Sequence, residues 1–593
     1  MSGRLSERPG SRRSQQIRRY GPLTLIVVLQ LVVAAIVLVG GDGGDTSAGD
    51  DAGGDGGASG SVWTDVSGPP GAPEPTGSMP VTYAEAEEAG TVDQYDWPDT
   101  CDTDRGTLAV PSVYALPCVP ESSGDNGGAT ARGVTEDEIR ILLYAPETPA
   151  DLASLLGAMD VEDTPEQRLA TFQQYVELFS SMAELYGRRI VIERFPATAT
   201  VGDVVAARAD ATDVIARDPF LVVGGPAQDR GTFAQELAAA GIPCYACAPY
   251  LPGDMVEDMA PYVWEMSASI DQVLDTLDAW VAAAGEGGRM VSHAEFAGGD
   301  LRGQPRRIGV VHLDQDPPLY AETGAERAEE ANVELTETYL LDLAAAPAKA
   351  TEIIARFKSE GINTIVFLGD PFMPIYLTQA ATEQDYHPEW IFTGVTLTDT
   401  NTLARQYDPA QMEHAYGISN LAAPTEQAIQ EPIRLYRWYY GADAMPPAAS
   451  QYALLWPPAA WLVSGIHMAG PELTPETFAR GLFRIPPTGG GPTTPQISYG
   501  HWGFFDRMDY AGIDDAVEIW WDPTVRAEDE RGQVGLGAWR RSDGGRRFTP
   551  DDPPPPRPFA GAEAAATVLD ELPPEDRAPD YPPPPGSPAA GGG

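Results

Sequence analysis

The chain of 593 residues has little lysine, cysteine or histidine. Only Lys349 and Lys358 are lysine, and 38 basic side chains face 87 acidic ones, for a formal charge of −49. So little positive charge leaves no basic face for a phosphate backbone, which argues against nucleic acid as a partner. It also argues against docking on an anionic membrane surface. His293, His312, His387, His414, His467 and His501 are scattered, and none stands at metal-ligand spacing to a cysteine or another histidine. No metal and no cofactor are therefore expected. The sequence also lacks G-x-S-x-G, a P-loop, H-E-x-x-H and G-x-G-x-x-G. No catalytic residue is assigned, and the chain reads as a non-enzyme.

One long apolar run is present. Leu23–Val39 (LTLIVVLQLVVAAIVLV) is broken only by Thr24 and Gln30. As a helix its 17 residues span roughly 26 Å, close to the thickness of a bilayer core. Arg4, Arg8, Arg12, Arg13, Arg18 and Arg19 precede it against a single Glu7. The first 20 residues thus carry +5 and the remainder −54. The positive-inside rule keeps residues 1–20 in the cytoplasm and makes residues 21–41 a single-pass signal anchor, with the bulk of the chain extracellular. A cleaved signal peptide is the competing reading, but its apolar core is usually shorter. The first cysteine is Cys101, so no lipidated cysteine follows the run.

Residues 42–80 hold 11 Gly and 5 Pro with several Asp, a composition that predicts a flexible acidic linker. Residues 549–593 hold 14 Pro and 5 Gly, which predicts a disordered Pro-rich tail to a C-terminal extension over 526–593. Between them, 43% hydrophobic content over the whole chain is ordinary for a globular protein, and the length allows two to four domains. Strand-like Ile139–Pro146, Ile190–Phe195, Phe220–Gly224 and Ile242–Tyr250 alternate with helical Gln167–Gly187, Val201–Arg217 and Asp229–Ala240. The rhythm restarts with strands at Arg307–Leu313, Val333–Leu341, Thr364–Leu368 and Trp390–Thr393. Helices at Ala321–Ala331, Ala348–Glu360 and Pro374–Thr382 lie between them, helices at Pro432–Tyr440 and Tyr452–Ala469 follow, and Ala516–Trp521 ends the series. Such alternation implies βαβ units, hence two α/β lobes with parallel sheets.

The order of GVTEDEIRILLYAP at Gly133–Pro146, LVVGGP at Leu221–Pro226, GIP at Gly241–Pro243, YVWEMSAS at Tyr262–Ser269, RIGVVHLDQD and NTIVFLGDP resembles the type I periplasmic binding protein family. These are the leucine-binding-protein-like solute-binding components of branched-chain amino acid ABC transporters. The segment before Gly133 looks like that of exported actinobacterial members. The resemblance implies two Rossmann-like lobes joined by three crossovers, near Ser267, Gly417 and Gln496. It assigns residues 81–132 to an N-terminal extension, 133–266 plus 418–496 to one lobe and 267–417 plus 497–525 to the other. The ligand is expected at the carboxyl ends of the strands.

In that frame the loop Gly224–Arg230 presents Gly225, Gln228 and Asp229, where amino-acid-binding relatives usually place hydroxyls. Cys247 and Ala248 form a second loop. Tyr320, Asp370 and Thr393 face them from the other lobe, Asp370 meeting a cationic group. The implied function is a membrane-tethered solute-binding protein taking a small polar ligand, amino-acid-like or amide- or peptide-like. Its partner would be an ABC permease, or an envelope signalling protein if the module senses rather than transports; a scaffold with a degenerate cleft is the third alternative. Proximity pairs Cys101 with Cys118, stapling residues 81–132, and Cys244 with Cys247, which needs a turn to close. The acidic pairs Asp514–Asp515 and Asp551–Asp552 read as solvated, and Trp520 and Trp521 as one inward, one outward.

Overall fold

The computed structural model describes residues 79–591 apart from 123, 147–162, 201, 227–228, 249–250, 286–288, 315–332, 341, 343–344, 531 and 562–564. The expected anchor and linker lie outside the described residues. Among those that are described, no helix is long and apolar enough to cross a membrane.

The first sheet is built around β1 (Glu138–Pro146), whose run of buried apolar side chains is what a parallel strand covered on both faces requires. β2 (Arg189–Ala197) and β3 (Leu221–Val223) flank it, and β4 (Cys244–Tyr245) and β5 (Val263–Trp264) continue the sheet in the order β2-β1-β3-β4-β5, all parallel. Helices α1 (Pro165–Ser180), α2 (Val204–Ala216) and α3 (Thr232–Ala239) connect the strands. Thr164 and Gln167 form a capping box that starts α1 beside a proline in its first turn.

After β5 the chain crosses to the second lobe. α5 is preceded by the short α4 (Gly253–Asp258) and runs Ile270–Ala282. Its Leu277 and Trp280 share a core with Ile391, Tyr416 and Trp520. The second sheet comprises β6 (Ile308–Leu313), β7 (Val333–Tyr339), β8 (Thr364–Leu368), β9 (Glu389–Phe392), β10 (Ala415–Ser419), β11 (Ala516–Glu528), β12 (Val534–Arg541) and β13 (Arg547–Phe548). Its order is β12-β11-β10-β9-β8-β6-β7, with β13 paired to β11. The strands from β6 to β10 run parallel, and β11 to β13 add antiparallel pairs. α6 (Ala346–Glu360) ends at Gly361, left-handed at φ 73°, and α7 (Met373–Glu383) follows β8.

The second crossing follows Ser419, because Gly417 is still paired within the second sheet; α8 (Glu431–Tyr440), α9 (Tyr452–Ala469) and α10 (Pro475–Phe483) then rejoin the first lobe's core. Ile497, Tyr499 and Tyr510 belong to that same core, so the chain returns to the second lobe only at residues 511–516, later than Gln496. Here the buried bidentate pair Arg547–Asp515 (2.7 and 2.8 Å) also takes the carbonyls of Asn420 and Leu421, tying the second crossing to the third.

Three sequence expectations change. Asp514 and Asp515 are buried, not solvated, because they sit inside that crossing; Asp551 and Asp552 are exposed as expected. Trp520 and Trp521 do point to opposite faces, but both are buried, since each face of the second sheet is covered. The Pro-rich tail is not disordered where it is described: it lies along both lobes. Ala566 pairs with Arg541 on the second sheet, and Leu569 donates to Pro424 beside the second crossing. Asp576, 1% exposed, accepts from the Thr493 amide and hydroxyl (2.8 and 2.7 Å) and from Thr494. The Tyr581 hydroxyl donates to Asp102. The composition argument missed these anchors because each is a single backbone pairing or a single side chain.

Both expected disulfides form, Cys101–Cys118 and Cys244–Cys247. The turn the second one needs is made by Ala246 at φ 54°. The first lies beside the hairpin Cys101–Asp102/Thr107–Leu108, which seats Leu108 and Cys118 in the first lobe's core.

Candidate functional site

The carboxyl ends of β3 and β4 in the first lobe, and of β8 and β9 in the second, carry loops where sequence reasoning placed a ligand. After β3, Gly224 turns left-handed (φ 81°) and Gly225 presses so closely on the next loop that a Cβ there would overlap the Cys247 carbonyl. Structure thus brings Gly225 and Cys247 together. Asp229 is buried, and its carboxylate accepts from the amides of Gly231 (3.1 Å) and Phe233 (2.7 Å) at the start of α3. Burial raises its pKa, and those amides pull it back. Gln228 and Tyr320 lie outside the described residues. Cys247 is held in its disulfide, and the Ala248 amide donates to Glu265 Oε1 at 2.8 Å.

In the second lobe Asp370 is buried at the start of α7. It accepts from the Tyr339 hydroxyl (2.6 Å) and from the amides of Phe372 and Met373. Burial raises its pKa as well. Thr393 is fully buried and donates to the Phe367 carbonyl at 3.3 Å. Beyond it Thr396 and Leu397 are both left-handed (φ 54° and 65°), unusual for residues bearing a Cβ.

A residue that sequence reasoning did not single out organises the region. Glu265 follows β5 and is 7% exposed. Its carboxylate takes the Ala248 amide, its backbone N–H donates to Tyr510 O (2.8 Å), and its carbonyl accepts from the Gly512 amide (2.9 Å) and the Tyr499 hydroxyl (3.1 Å). The loop after β4, the first crossing and the third crossing therefore meet at one residue. Burial pushes its pKa up to about 8, against the pull of the Ala248 and Cys247 amides. Beside it Asp509, also buried, accepts from Ala511 N at 2.7 Å and is pushed up to about 7 by burial.

These groups line a cavity of about 180 Å³. One wall is Leu251, Gly253 and Val256 around α4, a second is Ser267 to Asp275 at the start of α5, and a third is Phe505 to Ala511. None of Gly225, Asp229, Cys247, Ala248, Asp370 and Thr393 lines it. The signal that could have found it was a glutamate inside the apolar YVWEMSAS segment, a residue type rarely buried without reason. The contribution of residues 505–511 comes from 240 positions away, and no local pattern marks it.

With one parallel and one mostly parallel sheet, three crossings and a cavity at the first of them, the architecture is two-lobed. A family model described as "Periplasmic binding protein" matches residues 161–504, more than half of the sequence. The chain belongs to the periplasmic binding protein family. This is a family of binding proteins, not enzymes. No curated protein matches the chain. Among solved structures it is similar to a fatty acid ABC transporter substrate-binding protein from Thermomonospora curvata, with 15% identity, 73% of this chain and 99% of that one covered, and a TM-score of 0.47. It is also similar to an ABC transporter solute-binding protein from R. palustris in complex with 4-hydroxybenzoate, at 13% identity, 71% and 98% coverage and a TM-score of 0.45. A branched-chain amino acid transporter substrate-binding protein from Streptococcus pneumoniae in complex with isoleucine follows at 15%, 68% and 100%, and 0.41.

Proposed function

We propose that this periplasmic binding protein captures a small polar solute between its lobes outside the cytoplasm and presents it to an ABC-type permease, tethered to the membrane by Leu23–Val39. The observation that carries this reading is the junction itself. Three single-chain crossings join the bodies, and a cavity opens at the first crossing, with walls from the first lobe and from α5 of the second. A solute that touches both walls favours the closed arrangement by its extra contacts there. The tether keeps the carrier near the membrane and raises its local concentration.

The test is thermal melting of the full chain in detergent against amino acids, amides, short peptides, sugars and amines. A saturable solute raises the melting temperature through mass action. A complete panel without any shift would overturn the reading. Mass spectrometry of the membrane fraction should also recover intact Leu23–Val39 peptides; a mature N-terminus beyond residue 41 would remove the tether.

A further inference from the structure

We infer that the cavity at the first crossing takes a small organic cation, a solute bearing an alkylammonium or amidinium group. This rests on the solute-binding reading and adds the chemical class of the solute. Glu257, Glu265, Asp271, Asp275, Asp506 and Asp509 line the cavity against one guanidinium, that of Arg507. Arg507 lies 4.0 Å from Glu257, both half-exposed at the rim, and among the described residues no basic side chain lies within ion-pair distance of Glu265 or Asp509. Buried carboxyl groups without a counter-charge are costly, and an ammonium among them offsets that cost.

A second observation is independent of the carboxylates. Tyr510 also lines the cavity, is 3% exposed, and its hydroxyl has no hydrogen-bond partner among the described residues. The ring stands edge-on to Trp264 and Phe483, at centroid distances of 5.0 and 5.6 Å, and the hydroxyl lies in the field of Glu257 at the cavity rim. A buried hydroxyl is rarely left unpaired. An N–H donor in the cavity would satisfy it.

The alternatives fit less well. An anion would meet six acidic side chains, four of them not buried. For a metal ion, no three Asp, Glu, His or Cys among the described residues converge closely enough. A neutral polyol would pair the hydroxyl but leave the acidic walls uncompensated. An organic cation places N–H donors on the carboxylates and its carbon chain against Leu251, Val256 and Met508. A cavity of about 180 Å³ has room for a few carbons and one or two nitrogens.

The experiment is calorimetric titration of the full chain in detergent with putrescine, agmatine and butylamine, and with 1,4-butanediol as the uncharged counterpart of putrescine. At least one amine should bind saturably, and butanediol should not. Tyr510→Phe should weaken that amine about tenfold by removing a hydrogen bond to a charged group. Asp506→Asn, a change at an exposed position that leaves the core untouched, should weaken it several-fold. Asp443→Asn, exposed and outside the cavity lining, should leave it unchanged. The inference is overturned if no amine binds, if butanediol binds equally, or if both cavity variants keep full affinity. Should the amines fail while a neutral or acidic solute from the wider panel binds, the solute class is wrong and the binding reading stands. Failure of every solute removes both.

Discussion

Replacing Glu265 with glutamine tests whether a carboxyl group is held neutral at the junction of the lobes. Glutamine keeps an oxygen for the Ala248 amide, which Glu265 accepts at 2.8 Å, but cannot ionise. In the folded protein burial raises the Glu265 pKa from 4.5 to about 8. Between those values the folded state holds a proton that the unfolded chain has released, so stability falls as pH rises. The contribution is fully present below pH 4.5 and is lost by about pH 8. At about 1.4 kcal/mol per pH unit the full loss approaches ~5 kcal/mol, an upper figure because water penetration and relaxation reduce it. Asp509 and Asp514, pushed up to about 7 and about 9, tilt the profile the same way. His467, buried and lowered to about 4, tilts it oppositely, since it must shed its proton to fold. Those groups are common to both proteins and cancel in the difference. Urea midpoints from pH 5 to 9, without solute, should show Glu265→Gln gaining on the wild type by about one proton's worth of slope. The gain should be insensitive to salt, as a desolvation effect at a buried site is. Parallel profiles would refute the reasoning, because the carboxyl group would then be hydrated or ionised throughout.

Four other perturbations follow from contacts already described. Gly225→Ala would drive a Cβ into the Cys247 carbonyl and separate the two first-lobe loops; solute affinity should fall at least tenfold with a loss of about 1–3 kcal/mol in stability, and an unchanged affinity would count against these loops as part of the site. Arg547→Met leaves Asp515 buried without its partner and should cost about 3–5 kcal/mol by urea denaturation, a loss absent if the pair is hydrated. Cys118→Ser opens the bridge to Cys101 across a sequence separation of 17 and should cost about 3 kcal/mol, mimicked in the wild type by reductant. Asp576→Ala removes the acceptor for Thr493 and Thr494 and should speed proteolysis within residues 570–591 by tenfold or more, while a cleavage rate equal to the wild type would mean the tail is not held there.

How much of this was legible in the sequence depends on the range of the interaction. Thr364–Leu368 and Tyr452–Ala469 were read to the residue, because a five-residue β-branched run and an eighteen-residue apolar helix are decided by neighbours along the chain. The disulfides were also short-range, at separations of 17 and 3. The crossings were misplaced by a few to some fifteen residues, because a segment such as Ser498–Asp509 has no periodic pattern and is assigned to a lobe only by where Tyr499 and Tyr510 find a core. At the candidate site, none of the described strand-end residues named from the sequence lines the cavity. The capping chemistry of Asp229 and Asp370 was not legible, since a carboxylate at a strand end that caps the next helix and one that meets a solute look alike in sequence.

The buried acids share a location, and a physical reason accounts for it. Crossings between two sheets cannot use the ladder of either sheet for all their backbone groups, yet they are too buried for water to serve instead. Here side chains take over. Glu265 accepts the amide of Ala248, Asp509 that of Ala511, and Asp576 that of Thr493, while Asp515 aligns Arg547 so that it donates to the carbonyls of residues 420 and 421. An oxygen acceptor is what these amides need, and Asp and Glu are plentiful in a chain with 87 of them. Only Asp515 brings its own cation. Glu265 and Asp509 fulfil the structural task as neutral or partly neutral acids, and that leaves them able to respond to a positive charge in the cavity. The same side chains that fix the geometry of the crossing thus make it sensitive to an amine, so binding and rigidity at this junction should change together.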